Sequence, residues 1–212
     1  MSFDLLAPHY RWMERFLAGP RLQRCRRTWI AELAGCRHLL VAGVGHGPAL
    51  PLLLQAHPHL RITCVDASAG MLAQAEANAR RTGADLARLA FVQAALPGWR
   101  TAEKFDAIMT DFFLDCFPPE TLRAVVADLA AVATADARWI ISDFAIPAHG
   151  APRLRARAVH ALMYFFFRFV TRLPARRLTP PDPLLAAAGF RLAGRRTSEW
   201  GLLQADLWRR AA

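Results

Sequence analysis

From residue 37 onward, short apolar runs alternate with longer segments of helical periodicity. Short apolar runs bounded by turn residues are typical of buried strands, and the segments between them are typical of covering helices. This pattern predicts five strands: His38–Ala42, Arg61–Val65, Leu89–Gln93, Phe105–Thr110 and Trp139–Phe144. The alternation predicts a doubly wound α/β fold, in which a mostly parallel sheet carries helices on both faces.

The turn and cap residues predict where the helices begin and end. Ser68 is typical of an N-cap and predicts a helix over Ala69–Arg81, which Gly83 ends. Proline is tolerated in the first turn of a helix, so Pro48 predicts a helix over Ala49–Ala56, and Pro118 opens another that runs to about Ala133. Two further helices are predicted over Arg153–Arg172 and Leu184–Ala188.

The end of the chain departs from the alternating pattern. Phe190–Thr197 and Gly201–Trp208 are separated by only three residues, which predicts an antiparallel hairpin. A sheet closed by such a hairpin differs from a purely parallel nucleotide-binding sheet.

Composition narrows the class of protein. The 212 residues suit one domain, and 54% hydrophobic against 21% charged residues argues against bulk disorder. The four cysteines lack the spacing of a metal site or a disulfide framework, which indicates a reducing compartment. The first residues match neither a signal peptide nor a membrane span, so a cytoplasmic protein is expected.

The net charge of +10 is concentrated in two segments. Residues 11–27 hold six arginines, and residues 153–177 hold seven arginines and no acid. Such clusters suit an anionic substrate, an acidic lipid surface or a nucleic acid. The alternative is that they form solvated helix faces.

The glycines after the first strand are the first candidate for chemistry. Gly43, Gly45 and Gly47 let the backbone approach a ligand closely, because each missing Cβ removes a clash. Asp66 follows the next strand, where an acid accepts hydrogen bonds from both hydroxyls of a ribose. An NAD(P)-binding oxidoreductase fits this part of the chain, although that class has Gly-x-Gly-x-x-Gly where this chain has Gly-x-Gly-x-Gly.

Residues 37–210 resemble the class I S-adenosylmethionine-dependent methyltransferases. The resemblance rests on Leu39–Gly47, Val65–Ser68, Phe105–Thr110 and the closing hairpin. The segment Phe112–Phe117 is similar to a stretch of small bacterial members of unassigned substrate. The resemblance implies a seven-stranded sheet whose last strand is antiparallel, with S-adenosylmethionine over the carboxyl ends of the first strands.

The resemblance also implies a role for individual residues. The glycine loop faces the methionine part of the cofactor, and Asp66, followed by Ala67, holds the ribose. Many members have an acid near the adenine amine where this chain has Ala95, so adenine is expected to meet apolar contacts and backbone amides. Many also have an acid near the methionine amine, where this chain has Val41.

One domain over residues 1–212 is predicted, with four segments. Residues 1–36 form a helical lid in which Tyr10 closes over the cofactor, and residues 37–147 form the cofactor-binding half. Residues 148–183 form a helical cover over the substrate, and residues 184–212 form the closing hairpin. Ordinary core packing is the alternative for both the lid and the cover.

The methyl acceptor is expected near the loops after strands four and five, because ligands lie beyond the carboxyl ends of parallel strands. Asp111 stands where amine-directed members have an Asp or Asn that holds the target nitrogen; a cap of local backbone is the alternative. Asp143 lies near the end of strand five, where it can face the site, and His149 suits a general base. Asp115 is interpreted as a turn acid and His160 as a packed, hydrogen-bonded residue. Methyl transfer by positioning alone, without a base, stays open.

The predicted function is S-adenosylmethionine-dependent methyl transfer to a small apolar or aromatic acceptor. A nucleic-acid methyltransferase is an alternative, but the chain keeps its aromatic residues in apolar runs instead of interleaving them with basic ones. A membrane-peripheral module is a further alternative, based on the apolar helix with basic ends, although that helix lacks one clean polar face. The sequence leaves the acceptor atom and the oligomeric state open.

Overall fold

A computed structural model describes residues 19–83, 85–171, 175 and 177–211. Its strands are β1 (His38–Ala42), β2 (Arg61–Asp66), β3 (Leu89–Gln93), β4 (Phe105–Asp111), β5 (Ala133–Phe144), β6 (Phe190–Ser198) and β7 (Leu203–Arg210). Its α-helices are α1 (Gly19–Arg27), α2 (Leu50–Ala56), α3 (Ala69–Arg81), α4 (Pro119–Ala131), α5 (Gly150–Thr171) and α6 (Asp182–Ala187). No helix within these residues is both long enough and apolar enough to cross a bilayer.

The strands form one seven-stranded sheet in the order β3-β2-β1-β4-β5-β7-β6. The pairs among β1 to β5 are parallel, whereas β7 runs antiparallel to both β5 and β6. This topology confirms the predicted fold class and the closing hairpin. The carboxyl ends of β1, β2 and β4 therefore meet at one edge of the sheet, where the predicted site residues follow the strands.

Helices cover both faces of the sheet because the central strands are apolar on both sides. Leu40 and Ala42 of β1 pack in one core with α4 and α6. Leu39 and Val41, which point the other way, pack in a second core with α2 and α3. The continuous apolar runs in the sequence reflect this burial on two sides.

The helix α3 begins and ends as its sequence predicts. The Ser68 hydroxyl accepts a hydrogen bond from the Met71 N–H at 3.1 Å, which satisfies one of the amide groups left open at a helix start. Gly83 follows the helix with a positive φ of 70°.

Two predicted strand starts are wrong. The strand β5 begins at Ala133 instead of Trp139, because its first residues pair with β4 through an irregular register while Ala135 and Asp136 remain exposed. The strand β7 begins at Leu203 instead of Gly201, because Glu199–Gly201 forms a 3-10 turn. Both errors arise where pairing is decided by the neighbouring strand and not by an apolar pattern.

The helix α1 packs beside the end of the sheet that carries the loops. Leu22 and Cys25 form a small core with Leu203 and Ala205 of β7. The Trp29 indole N–H, just after the helix, donates to the Ala205 carbonyl at 3.0 Å. These contacts place one face of α1 next to the carboxyl ends of the strands.

The glycine at position 47 is required by both conformation and space. Its φ is +68°, and an added Cβ would lie 2.9 Å from the Ala75 Cβ and 2.8 Å from the Leu50 Cδ1. Gly83 has a similar φ of +70° but open space around its Cα. Comparing an alanine substitution at each position therefore separates the cost of backbone strain from the cost of a steric clash.

We expect Gly47→Ala to lower the free energy of unfolding by about 2–4 kcal/mol, because strain and clash add. Gly83→Ala should cost about 1–2 kcal/mol, the strain alone. Urea unfolding followed by circular dichroism measures both. Equal losses for the two variants would show that the contact with Ala75 relaxes at no cost.

Candidate active site

The glycine loop after β1 is fixed by Asp66. The Gly45 N–H donates to Asp66 Oδ2 at 2.9 Å, and the Ser68 N–H donates to Asp66 Oδ1 at 2.9 Å. The Gly43 N–H donates to the Val65 carbonyl at 2.8 Å. The carboxylate thus holds the loop and the start of α3 in one arrangement, a role beyond the ribose contact that the sequence predicts.

The first glycine of the loop makes room for an aromatic ring. A Cβ at Gly43 would lie only 2.1 Å from the Phe113 Cδ2, so Phe113 packs directly on the backbone at this point. A Cβ at Gly45 would meet nothing within 4 Å. At Gly43 the Phe113 side chain, and not a ligand, lies close to the backbone, whereas the space beside Gly45 is open.

A cavity of about 570 Å³ lies at this edge of the sheet. Seven of the predicted site residues line it: Gly43, Gly45, Gly47, Asp66, Ala67, Ala95 and Asp111. The helices α1 and α5 close its sides with Leu22 and Arg26 from the first and Met163 and Tyr164 from the second. The volume is in the range of small-molecule sites.

Two predicted site residues do not line this cavity. His149 is exposed, just before the start of α5. Asp143 is buried behind the cavity wall and borders a second, smaller cavity of about 180 Å³. Tyr10 lies outside the described residues. Because His149 does not line the cavity, the geometry does not support it as a base.

Asp111 ends β4 and is held by an arginine of α1. Arg26 Nε lies 4.0 Å from Asp111 Oδ2, and both side chains are buried. The Arg26 guanidinium also lies 4.9 Å from the centre of the Phe112 ring. A buried guanidinium is held in place by such a carboxylate and by the face of an aromatic ring. Nothing in the sequence distinguishes this pair, because Arg26 is one of six arginines in residues 11–27.

Asp115 and Asp143 form a buried carboxyl pair beside the cavity. The Asp115 N–H donates to Asp143 Oδ2 at 3.2 Å, and the Phe144 N–H donates to Asp143 Oδ1 at 2.8 Å. Burial raises the pKa of Asp115 to about 6. Burial, and then the Asp115 carboxylate, raise the pKa of Asp143 well above its ordinary value. Burial therefore favours the protonated form of both carboxyl groups.

Asp115 is a cavity residue that the sequence does not reveal. Its position in the sequence predicts a turn acid, but the residue is buried and lines the cavity. Its carbonyl accepts a hydrogen bond from the Tyr164 hydroxyl at 3.1 Å, which ties α5 to the loop after β4. The only local signal was its place four residues after Asp111, which does not separate a turn acid from a cavity acid.

Two further polar groups near this pair are uncharged. Burial raises the pKa of Cys116 well above its ordinary value, so the side chain is a thiol. His160 is packed against Phe144 and Tyr164, at ring-centre distances of 5.7 and 6.3 Å. Neither of its ring nitrogens has a hydrogen-bond partner among the described residues, contrary to the prediction. Burial lowers the pKa of His160, so the ring is neutral.

Part of the chain matches a known protein family, and its fold is similar to that of solved structures. Residues 39–136 match the family model of a methyltransferase domain. Together with the seven-stranded sheet closed by an antiparallel hairpin, this match supports the expected class I methyltransferase family. The match covers β1 to β4 and the start of β5, and therefore the glycine loop, Asp66, Asp111 and Asp115. No curated protein matches the chain by sequence.

Solved structures share the fold of this methyltransferase domain at low identity. An O-methyltransferase family protein from Burkholderia thailandensis matches with a TM-score of 0.74 and 17% identity, over 97% of this chain and 60% of that one. The 1,6-didemethyltoxoflavin-N1-methyltransferase of the same species, with bound S-adenosylhomocysteine, has a TM-score of 0.68 and 18% identity over 99% and 86%.

A third similar structure is magnesium protoporphyrin IX methyltransferase from Synechocystis PCC 6803, with bound S-adenosylhomocysteine. Its TM-score is 0.65 at 21% identity, over 90% of this chain and 83% of that one. This chain spans about 60% of the length of the first structure named above. The domain match and the antiparallel β7 together set aside the alternative of an NAD(P)-binding oxidoreductase.

The buried pair makes the stability of the domain pH-dependent. An unfolded aspartate releases its proton near pH 4, whereas folded Asp115 keeps it until about pH 6. The folded state therefore loses stability as the pH rises from about 4 through about 6.

We expect Asp115→Asn to raise the free energy of unfolding at pH 7 by about 1–3 kcal/mol, and to leave it nearly unchanged near pH 4. Urea unfolding at a series of pH values checks this. Glu120→Gln, at an exposed position in α4, is the control and should leave the pH profile as it is. A profile for Asp115→Asn parallel to that of the wild type would contradict the burial argument.

Proposed function

We propose that this domain transfers the methyl group of S-adenosylmethionine to a small apolar or aromatic acceptor. One observation carries the proposal: a single cavity is lined both by the expected cofactor residues and by apolar side chains. The glycine loop, Asp66, Ala67 and Ala95 line it, and so do Phe113, Phe117 and Met163. A cofactor and an acceptor bound together in this cavity would be in contact.

The residues at the glycine loop fit the cofactor. The open space at Gly45 admits a ligand close to the backbone. A carboxylate accepts several hydrogen bonds at once, so the backbone donors of Gly45 and Ser68 do not exclude two ribose hydroxyls from Asp66. Two of the compared methyltransferases contain S-adenosylhomocysteine, the product that methyl transfer leaves.

The bound cofactor would supply a methyl group on a positively charged sulfur, which needs a nucleophile aligned with it. Asp111 would accept a hydrogen bond from the N–H or O–H of the acceptor and orient its lone pair. Arg26 would hold the Asp111 carboxylate in place through the buried ion pair. The phenylalanines would exclude water and position the acceptor, which supplies a large part of the rate enhancement in such transfers.

The acceptor atom is to be identified by experiment. The compared proteins include both an O-methyltransferase family protein and an N1-methyltransferase, so the fold serves both chemistries. Transfer of a labelled methyl group from S-adenosylmethionine should be measured over pools of small aromatic and aliphatic compounds and over RNA and DNA. Label in small compounds supports the proposal, and label only in nucleic acid would favour the nucleic-acid alternative.

The ribose contact can be tested on binding alone. We expect Asp66→Ala to weaken S-adenosylmethionine binding by about 1.5–3 kcal/mol, the cost of removing a charged hydrogen-bond partner. Isothermal titration measures the affinity, and thermal unfolding verifies that the variant is folded.

Asp106→Ala is a matched control for this test. Asp106 also accepts two backbone N–H groups, from Arg37 and His38, at 2.8 and 2.9 Å, but it lies at the other end of the sheet. The control should lose stability and keep its affinity for the cofactor. Equal affinities for all three proteins would contradict the assignment of Asp66.

The role of Asp111 can be tested on turnover. We expect Asp111→Asn to lower kcat by at least about tenfold with the cofactor affinity nearly unchanged, because the lost charge acts mainly in the transition state. Asp128→Asn is the control, since Asp128 is also largely buried and pairs with Arg100 at 2.8 Å, away from the cavity. If Asp111 only caps local backbone, the variant loses a little stability and retains its turnover.

A further inference from the structure

The helix α5 carries exposed apolar side chains on its outward face. Leu154 and Leu162 are each 70% exposed, and Phe165 is 73% exposed. Among the described residues, these three are half of the six large hydrophobic side chains that are exposed. Soluble domains seldom concentrate such residues on one helix unless the surface contacts something.

Helical geometry arranges these residues in a stripe. Residues three, four and seven positions apart lie on the same side of an α-helix, so Leu154, Ala158, Ala161 and Phe165 form one line. All four are exposed. The opposite side of the helix packs on the domain through Ala156, His160 and Tyr164, which are buried. The stripe therefore faces away from the core.

Arginines border the stripe on both sides. Arg157 lies along one edge, Arg155 along the other, and Arg153 at the start of the helix, and all three are exposed. Arg155 donates to the Glu199 carbonyl at 3.0 Å and lies 5.7 Å from the centre of the Trp200 ring, which is 74% exposed. The Glu199 carboxylate pairs with Arg21 at 3.2 Å. The charge around the stripe is therefore positive.

We propose that this face of α5 docks on the surface of an anionic lipid bilayer. An apolar stripe between arginines, beside an exposed tryptophan, is the pattern of helices that lie in the plane of a membrane surface. Each arginine near an anionic surface adds to the attraction, and the net charge of +10 acts in the same direction. A second copy of the chain fits less well, because a symmetric contact would bring arginines against arginines.

The docking face adjoins the cavity of the site. Leu162 is on the outward side of α5 and also lines the cavity, together with Val159 and Met163. A bilayer in contact with the stripe would lie next to the entrance to the cavity. If the proposed methyl transfer is right, the acceptor is a lipophilic molecule that enters from the bilayer.

Sedimentation of the whole chain with lipid vesicles tests the docking face. The chain should bind vesicles that contain phosphatidylglycerol and bind pure phosphatidylcholine vesicles much more weakly. The double variant Leu154→Gln, Phe165→Gln should weaken partition by at least about tenfold. Arg157→Gln should weaken it by about fivefold, and only for the anionic vesicles. Leu192→Gln is the control, because Leu192 is an exposed leucine on β6, and it should bind as the wild type does.

Other outcomes would overturn the docking proposal. Failure of the wild type to bind anionic vesicles does so, as does equal binding by the double variant. Light scattering after size exclusion, without lipid, would assign the stripe to a second copy if a wild-type dimer became a monomer in the double variant. Titration with S-adenosylmethionine measures cofactor binding independently of vesicle binding, because none of the substituted residues lines the cavity. Vesicle binding without cofactor binding would reject only the methyl transfer, and the reverse result would reject only the docking.

Discussion

The Asp66 carboxylate connects the parts of the chain that form the cofactor side of the site. Its two oxygens accept the N–H groups of Gly45 and Ser68, and its main-chain carbonyl accepts the Ala94 N–H at 3.0 Å. The glycine loop, the start of α3 and the loop after β3 are therefore oriented by one residue. Without this carboxylate, the loop N–H groups would lose their partner, and the cavity wall would lose its fixed geometry.

A second constraint operates on the acceptor side of the site. Arg26 and Tyr164 reach the loop after β4 from α1 and α5, the first by an ion pair with Asp111 and the second by a hydrogen bond to the Asp115 carbonyl. Both contacts are buried, so each is costly to break without its partner. Two helices that are far apart in sequence thus fix one short loop. The loop after β4 is therefore held in one arrangement, although its regular structure is a single 3-10 turn, Leu114–Cys116.

The carboxyl groups after β4 and β5 differ because their surroundings differ. Asp111 lies beside an arginine and lines the cavity, whereas Asp143 lies behind the wall, next to Asp115. Burial raises the pKa of both Asp115 and Asp143, because it disfavours negative charge in such a small volume. Asp143 accepts the N–H groups that hold the loop, and Asp111 is the acid that lines the cavity beside Arg26. The same separation explains why three acids so near each other need not serve the same function.

The sequence by itself determined the strand order along the chain, the cap of α3 and the closing hairpin, and it placed Gly43, Gly45 and Asp66 after neighbouring strands. These features depend on local periodicity, on turn chemistry and on spacing within one β-α-β unit, all of which are written in consecutive residues. Only the tertiary structure decided that Arg26 meets Asp111, that Asp115 and Asp143 are buried side by side, and that His149 lies outside the cavity. Those outcomes depend on contacts between residues tens of positions apart, and an arginine or an aspartate looks the same in sequence whether it is solvated or buried. Burial and distance set the chemistry of a charged group, and neither is fixed until the chain has folded.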